Sequence, residues 1–303
     1  MITHDDIEAA AKRIAARVRR TPVVEIAPRL WLKLELLQHT GSFKPRGMFN
    51  RVLANDVPAV GLTVASGGNA GLAVAYVGRE LGHPVEVFVP ETTPRVKTDR
   101  LREYGANVTA AGESYADALV ASQAHAAEAG ALFVHAYDQP EVVAGQGTLA
   151  RELNLQVADA QTVLVAVGGG GLIGGIAAWY AHSPVRIIGV EPVGCPTLHA
   201  ARAAGAPVDV PTEGVARDSL GARRLGDVAW THAAAGHIDD SLLVDDDAIA
   251  EARRWLWYEA RLAVEPGAAT AMAALRAGVY KREPDETVVV IICGANADPS
   301  DLT

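Results

Sequence analysis

The sequence predicts an α/β protein with two mostly parallel sheets flanked by helices. Three observations predict it. Short apolar runs with little alternation are separated by helical stretches, the pattern of strands buried on both faces. Glycine-rich turns stand between several strands and the helices that follow them. The 303 residues exceed one average domain and suffice for one large core or two intimate ones.

The elements follow in order along the chain. Thr3 and Asp6 fit a capping box, and Ile7, Ala11, Ile14 and Val18 share one face of the helix behind it. Residues 61–65 form an apolar run closed by Ser66, Gly67, Gly68 and Asn69, and 70–81 have helical character. A strand at 84–89 precedes a helix at 94–104, and a strand at 107–110 precedes an alanine-rich helix at 115–129. Later, 162–167 lead into four glycines and a helix to about residue 180, and a strand at 186–190 ends at Glu191. Residues 246–262 and 268–277 read as helices, and 287–292 as a fully buried strand. Two regions, 138–147 and 193–224, lack a clear period and suit a domain crossing or an active-site segment. There are no repeats and no low-complexity linker.

Half the residues are hydrophobic and 21% are charged, an ordinary soluble composition. The net charge of −9, with no basic stripe, argues against nucleic-acid and anionic-membrane partners. The apolar runs are too short to span a bilayer. The acidic start, Asp5 and Asp6, is unlike a signal peptide. Cys195 and Cys293 stand far apart, without metal-type spacing or a disulfide framework. A cytoplasmic protein is therefore expected, and, with few residues after the last strand, no appended regulatory domain is expected.

Gly168, Gly169, Gly170 and Gly171 invite a dinucleotide reading. Gly169, Gly171 and Gly174 match G-x-G-x-x-G between a strand and a helix, and Glu191 ends the next strand. The physics is broader than one ligand. Successive glycines let backbone N–H groups approach an anion, and the helix N-terminus adds a favourable dipole. A tight turn alone needs fewer glycines, since each costs chain entropy. The loop reads as a phosphate site with its ligand open.

Of five lysines, Lys12, Lys33, Lys97 and Lys281 suit solvated helix or strand positions. Lys44 differs, lying in Ser42-Phe43-Lys44-Pro45-Arg46-Gly47. Flanked by Phe and Pro between two glycines, it suggests a constrained, partly desolvated amine, which lowers its pKa and suits a Schiff base. On spacing alone a structural salt-bridge lysine fits as well.

Four motifs in order decide between these readings: Ser42 to Gly47, Ser66-Gly67-Gly68-Asn69-Ala70-Gly71, Gly168 to Leu172, and Cys293-Gly294-Ala295-Asn296. Together with Gly145-Gln146-Gly147-Thr148 and Val264-Glu265-Pro266-Gly267, they resemble the fold-type II pyridoxal-phosphate enzymes, the tryptophan synthase β family. Within it the chain is similar to the serine/threonine dehydratase and serine racemase branch, over essentially its whole length. The resemblance implies pyridoxal 5'-phosphate as cofactor, a small amino-acid substrate and a homodimer. It also implies a large cofactor-binding domain (1–55 and 146–303) and a small substrate-loop domain (56–145).

By that resemblance Lys44 holds the cofactor as a Schiff base and then removes the Cα proton. Phe43 borders the cofactor face, and Asn69 hydrogen-bonds its phenolic oxygen, though a helix cap also suits Asn69. Gly168, Gly169, Gly170, Gly171 and Leu172 present N–H groups to its phosphate. Cys293 faces the pyridine nitrogen, where a neutral thiol gives a shallower electron sink than a carboxylate. Ser66, Gly67, Asn69 and Ala70 form the substrate carboxylate pocket, and Glu265 lies near the ring or caps a helix. Arg46 pairs with a nearby acid and has no catalytic task.

Two departures narrow the activity. Racemases of the branch carry a serine where this chain has Gly67, so a second base is missing and elimination of a β-hydroxyl is expected: serine/threonine ammonia-lyase chemistry yielding a 2-oxo acid and ammonia. The usual histidine is Ala70, which keeps open β-replacement, as in cysteine synthase, and 3-hydroxyaspartate as substrate. A non-catalytic binding protein is the remaining reading, opposed by the intact Lys44. The branch often binds a divalent cation beside the residue matched by Glu191. Here the second acid position is Thr197, leaving one carboxylate and backbone carbonyls for a weak site.

Overall fold

The computed structural model describes residues 1–302. Among the described residues ten strands form two sheets: β1 (Val23–Ala27), β2 (Leu30–Leu34), β3 (Leu62–Ala65), β4 (Val85–Val89), β5 (Asn107–Ala110), β6 (Leu132–Phe133), β7 (Thr162–Ala166), β8 (Arg186–Pro192), β9 (Asp240–Val244) and β10 (Val288–Ile292). The larger sheet has the order β1-β2-β10-β7-β8-β9, and only the β1–β2 pair is antiparallel. The smaller, β5-β4-β3-β6, is parallel throughout. The α/β architecture with two helix-flanked sheets stands as the sequence predicts. Strands β7 and β10 are buried along their whole length, which is why they show no alternation.

Helix Asn69–Leu81 starts one residue earlier than predicted. Helix His4–Ile14 carries the expected capping box and buries Ile7, Ala10 and Ile14, but it ends before Val18. Sequence periodicity misses β1, β2 and β9, and it misses helices Pro45–Leu53 and Pro140–Gln156. The unperiodic stretch 193–224 holds two short helices, Thr197–Ala204 and Arg217–Leu220.

Helix Pro140–Gln156 joins the parts that matter. Its glycines let neighbouring helices touch it backbone to backbone. A Cβ on Gly145 would lie 2.6 Å from the Gly47 Cα of helix Pro45–Leu53, and one on Gly175 of helix Gly171–Tyr180 would lie 2.5 Å from the Gly147 nitrogen. Lys44 and the four-glycine loop, at the starts of the two flanking helices, are thus fixed to one central element. Met48, Phe49 and Val52 of helix Pro45–Leu53 pack with the core of the smaller sheet, while Leu149, Ala150 and Leu153 enter that of the larger.

Lys33, expected at a solvated position, is fully buried. Its ammonium donates to the Thr21 carbonyl (2.8 Å), Glu152 (2.5 Å) and Gln156 (2.8 Å). Three acceptors explain how an interior lysine keeps its charge, although burial lowers its pKa against the pull of Glu35 and Glu152. Among the described residues no helix is long and apolar enough to cross a membrane.

Candidate active site

In open α/β sheets ligands gather at the carboxyl ends of the strands. Here the loops after β2, β7 and β10 converge. Gly168 follows β7 and Cys293 follows β10. The loop before Lys44 is zipped to the loop after β10: Phe43 N–H donates to the Cys293 carbonyl (3.1 Å) and Ala295 N–H to the Gly41 carbonyl (2.9 Å). These bonds place Lys44 beside Cys293.

One cavity is lined by Phe43, Lys44, Asn69, Gly168 to Leu172, Glu265 and Cys293, so most of the residues singled out in the sequence meet in space. Ser66 and Gly67 stand on the loop between β3 and helix Asn69–Leu81, and Ala70 in the first turn of that helix, all outside this lining. Tyr137, Ser219 and Leu220 also line the cavity and were not singled out. Ser219 and Leu220 fall in the unperiodic stretch 193–224, which was the available signal, while Tyr137 stands just before the stretch 138–147 and carried none.

The Lys44 ammonium donates to the Ala136 carbonyl at 2.7 Å and lies 5.1 Å from the Phe43 ring centre. Burial lowers its pKa to about 8, opposed by Cys293 and Glu265. Burial pushes the Cys293 thiol up, and the Glu265 carboxylate reinforces it, so the thiol stays neutral. Glu265 is buried too. Burial raises its pKa, while Asn69 and Asn296 stabilise its charge by donating to it.

Asn69 is the first residue of its helix, and Gly68 stands at the cap without a side-chain bond. The Asn69 amide instead donates to both Glu265 oxygens (2.8 and 3.1 Å) and accepts from Asn296 Nδ2 (2.7 Å). Both neighbours fix which way the amide faces. Glu265 precedes helix Pro266–Arg276 but caps nothing with its side chain.

Behind Lys44, the fully buried Arg46 grips Glu35 through two bonds (2.8 and 2.7 Å) and reaches Glu152 (3.1 Å). Burial alone would raise the Glu35 carboxyl. The Arg46 guanidinium, with Lys33 and Thr21, holds it below the usual carboxylate range. Arg46 therefore pairs with acids, as its place in the sequence suggests.

The glycine loop suits a phosphate. Gly170 has φ +88°, and the next residue opens helix Gly171–Tyr180, whose first-turn N–H groups have no intrahelical acceptor. There is no space for larger residues: a Cβ on Gly169 would run into the Tyr137 ring, and one on Gly170 would lie 2.6 Å from Ala229. A phosphorylated aromatic aldehyde fits these residues, with the loop for its phosphate, Lys44 for its carbonyl carbon, Asn69 for a ring oxygen and the Cys293 thiol at the ring.

Glu191 is buried and committed internally. It accepts from Leu198 N–H (2.7 Å), His199 N–H (2.8 Å) and Ser241 Oγ (2.8 Å), with Thr197 Oγ1 at 3.2 Å. Thr197 in turn donates to the Gly168 carbonyl at 2.5 Å, so this cluster supports the glycine loop. Among the described residues no group of three His, Cys, Asp or Glu side chains is placed to hold a metal ion.

Comparison with known proteins agrees with this geometry. Residues 14–294 match the family model described as "Pyridoxal-phosphate dependent enzyme". The chain is 36% identical to the L-threonine ammonia-lyase of Geobacter sulfurreducens over 98% of its own length and 76% of that protein's. It resembles the structure of maize serine racemase with a TM-score of 0.92, at 32% identity, covering 98% of this chain and 94% of that one. Its TM-score to the processed form of threonine deaminase isoform 2 from Solanum lycopersicum is 0.88, at 29% identity over 100% and 88% of the two chains. The chain thus belongs to the pyridoxal-phosphate dependent enzymes of fold type II, in the branch of the threonine/serine dehydratases and ammonia-lyases.

Proposed function

We propose that this enzyme is a serine/threonine dehydratase-like ammonia-lyase, converting a small hydroxy-amino acid into a 2-oxo acid and ammonia. When bound, pyridoxal phosphate supplies the electron sink that makes the substrate Cα–H bond acidic. The chain's own residues do the rest. Lys44, with its amine lowered to about 8, takes the Cα proton near neutral pH. The proton taken by Lys44 goes to the β-hydroxyl, which leaves as water; the released enamine tautomerises to an imine, and one water hydrolyses it to the 2-oxo acid and ammonia.

Asn69 binds the cofactor's ring oxygen, with Glu265 fixing its orientation, and Phe43 borders the ring. The backbone of 168–172 holds the phosphate. Ser66 and Gly67 on the loop, with Asn69 and Ala70 at the start of helix Asn69–Leu81, receive the substrate carboxylate. The neutral Cys293 thiol adds no charge to the ring nitrogen, which disfavours a long-lived carbanion and favours expulsion of a β-substituent.

The observation that carries the reading is Gly67. It has no side chain to move a proton where racemases of the branch carry a serine, and a Cβ there would meet Thr93 Cγ2 at 3.0 Å. One base supports elimination over racemisation. Ala70, buried and without a polar group, favours testing 3-hydroxyaspartate and β-replacement alongside. The test is a panel of L-serine, L-threonine and 3-hydroxyaspartate, with and without an added thiol, assayed for ammonia and 2-oxo acid. L-Serine or L-threonine should give both products without thiol. Absence of both from every hydroxy-amino acid overturns the proposal. By the same resemblance we propose a homodimer, with 1–55 and 146–303 as its large domain and 56–145 as its small one; two cysteines without a disulfide framework support a cytoplasmic location.

A further inference from the structure

Residues 134–139 join β6 to helix Pro140–Gln156 and touch both the Lys44 amine and the glycine loop. His135 organises this turn. Its Nδ1 accepts from the backbone N–H of Tyr137 (3.2 Å) and of Asp138 (2.9 Å). Its own backbone N–H donates to Gln139 Oε1 (2.9 Å), and Gln139 Nε2 donates to the Phe133 carbonyl (3.2 Å).

The three residues after His135 each meet the site. The Ala136 carbonyl takes the Lys44 ammonium. The Tyr137 ring lies over Gly169, and its carbonyl stands 2.7 Å from where a Gly171 Cβ would be. The Asp138 carboxylate accepts from the N–H groups of Asp227 and Val228, both at 3.0 Å, and Gly226 N–H donates to the Gly169 carbonyl. The turn is thus tied to the glycine loop from two sides.

An imidazole nitrogen that accepts two N–H groups has no room for a proton, so the neutral ring carries its hydrogen on Nε2. The groups facing the ring agree. It packs edge-on to Tyr137 (4.6 Å between ring centres) and Phe133 (6.1 Å). Burial pushes its pKa below the ordinary 6.5, opposed by Asp138 and reinforced by Lys44.

We infer that His135 is a positioning residue for the cofactor: unprotonated, it fixes the turn that sets the Lys44 amine and backs the glycine loop, and protonating it weakens cofactor binding. The inference rests on the reading that Lys44 and loop 168–171 hold pyridoxal phosphate.

The test measures the pyridoxal-phosphate dissociation constant by absorbance titration, with the apoprotein prepared from holoenzyme, between about pH 5 and 8. His135→Leu removes the acceptor. His135→Asn keeps one, since an asparagine oxygen accepts from the N–H two residues on, and removes the titration. Two lost hydrogen bonds should weaken binding about tenfold or more in His135→Leu at pH 8. His135→Asn, with one of the two acceptor bonds kept, should bind within a few-fold of the unaltered enzyme at pH 8 and lose less of its affinity toward pH 5, since the imidazole takes up its proton only below its ordinary 6.5.

A folded His135→Leu protein that binds like the unaltered enzyme overturns the inference, as does a His135→Asn protein that loses affinity in acid to the same extent. If His135→Leu does not fold, the asparagine variant still decides. A cofactor absorbance band that survives Lys44→Ala would sink the underlying site reading instead.

Discussion

Replacing Arg46 by methionine tests whether the charged cluster behind Lys44 holds the site in place. The side chain is 1% exposed, and its two bonds to Glu35 satisfy a carboxylate that is itself fully buried. Removing it leaves Glu35 with Thr21 Oγ1 and the more distant charge of Lys33. Truncating one partner of a buried pair costs about 3–5 kcal/mol, because the other charge stays desolvated. At about 2 °C per kcal/mol for a chain of this size, the melting temperature should fall by roughly 6–10 °C. Differential scanning calorimetry on the unaltered protein, Arg46→Met and the double variant Glu35→Leu/Arg46→Met reads this directly. The double variant should regain much of the loss, since it buries no unpaired carboxylate there. A loss under about 1 kcal/mol in Arg46→Met refutes the reasoning, because Glu35 would then have found solvent or another partner.

Two further outcomes follow from the cavity. Burial sets the Lys44 amine near 8, so its reactivity in the apoprotein toward an amine-modifying reagent should climb as pH rises toward about 8 and level off above it. A profile still climbing through pH 10, the ordinary lysine range of about 10.4, refutes the burial argument. Gly169→Ala drives a methyl group into the Tyr137 ring. The ring or the loop must shift, and where the overpacking cost of about 1–3 kcal/mol falls on the loop that holds the phosphate, cofactor affinity should drop about 5- to 150-fold. Unchanged affinity by absorbance titration would show that the loop does not hold the phosphate.

The site was legible where chemistry dictates local sequence. Lys44, Asn69, the four glycines, Glu265 and Cys293 were singled out in the sequence and line one cavity. What periodicity missed is the frame that brings them together, and the reason is physical. Periodicity reports a boundary between a wet face and a dry one. Helix Pro140–Gln156 is buried without a break from Val142 to Ala150, so it has no such boundary to report. Strand β2 hides its Lys33 among acceptors, which breaks an apolar run without marking solvent.

Pro140 at the first turn is a usable start signal, while Gly145 and Gly147 are poor helix formers within the same stretch. Those two glycines are what the fold needs at the crossing with helices Pro45–Leu53 and Gly171–Tyr180. Their lack of side chains weakens the helix locally and lets three helix backbones approach within contact. The two glycines in a helix without a periodic signal are therefore the ones that set the spacing between the Lys44 amine and the glycine loop. A Gly145→Ala or Gly147→Ala change should act on that spacing as well as on stability.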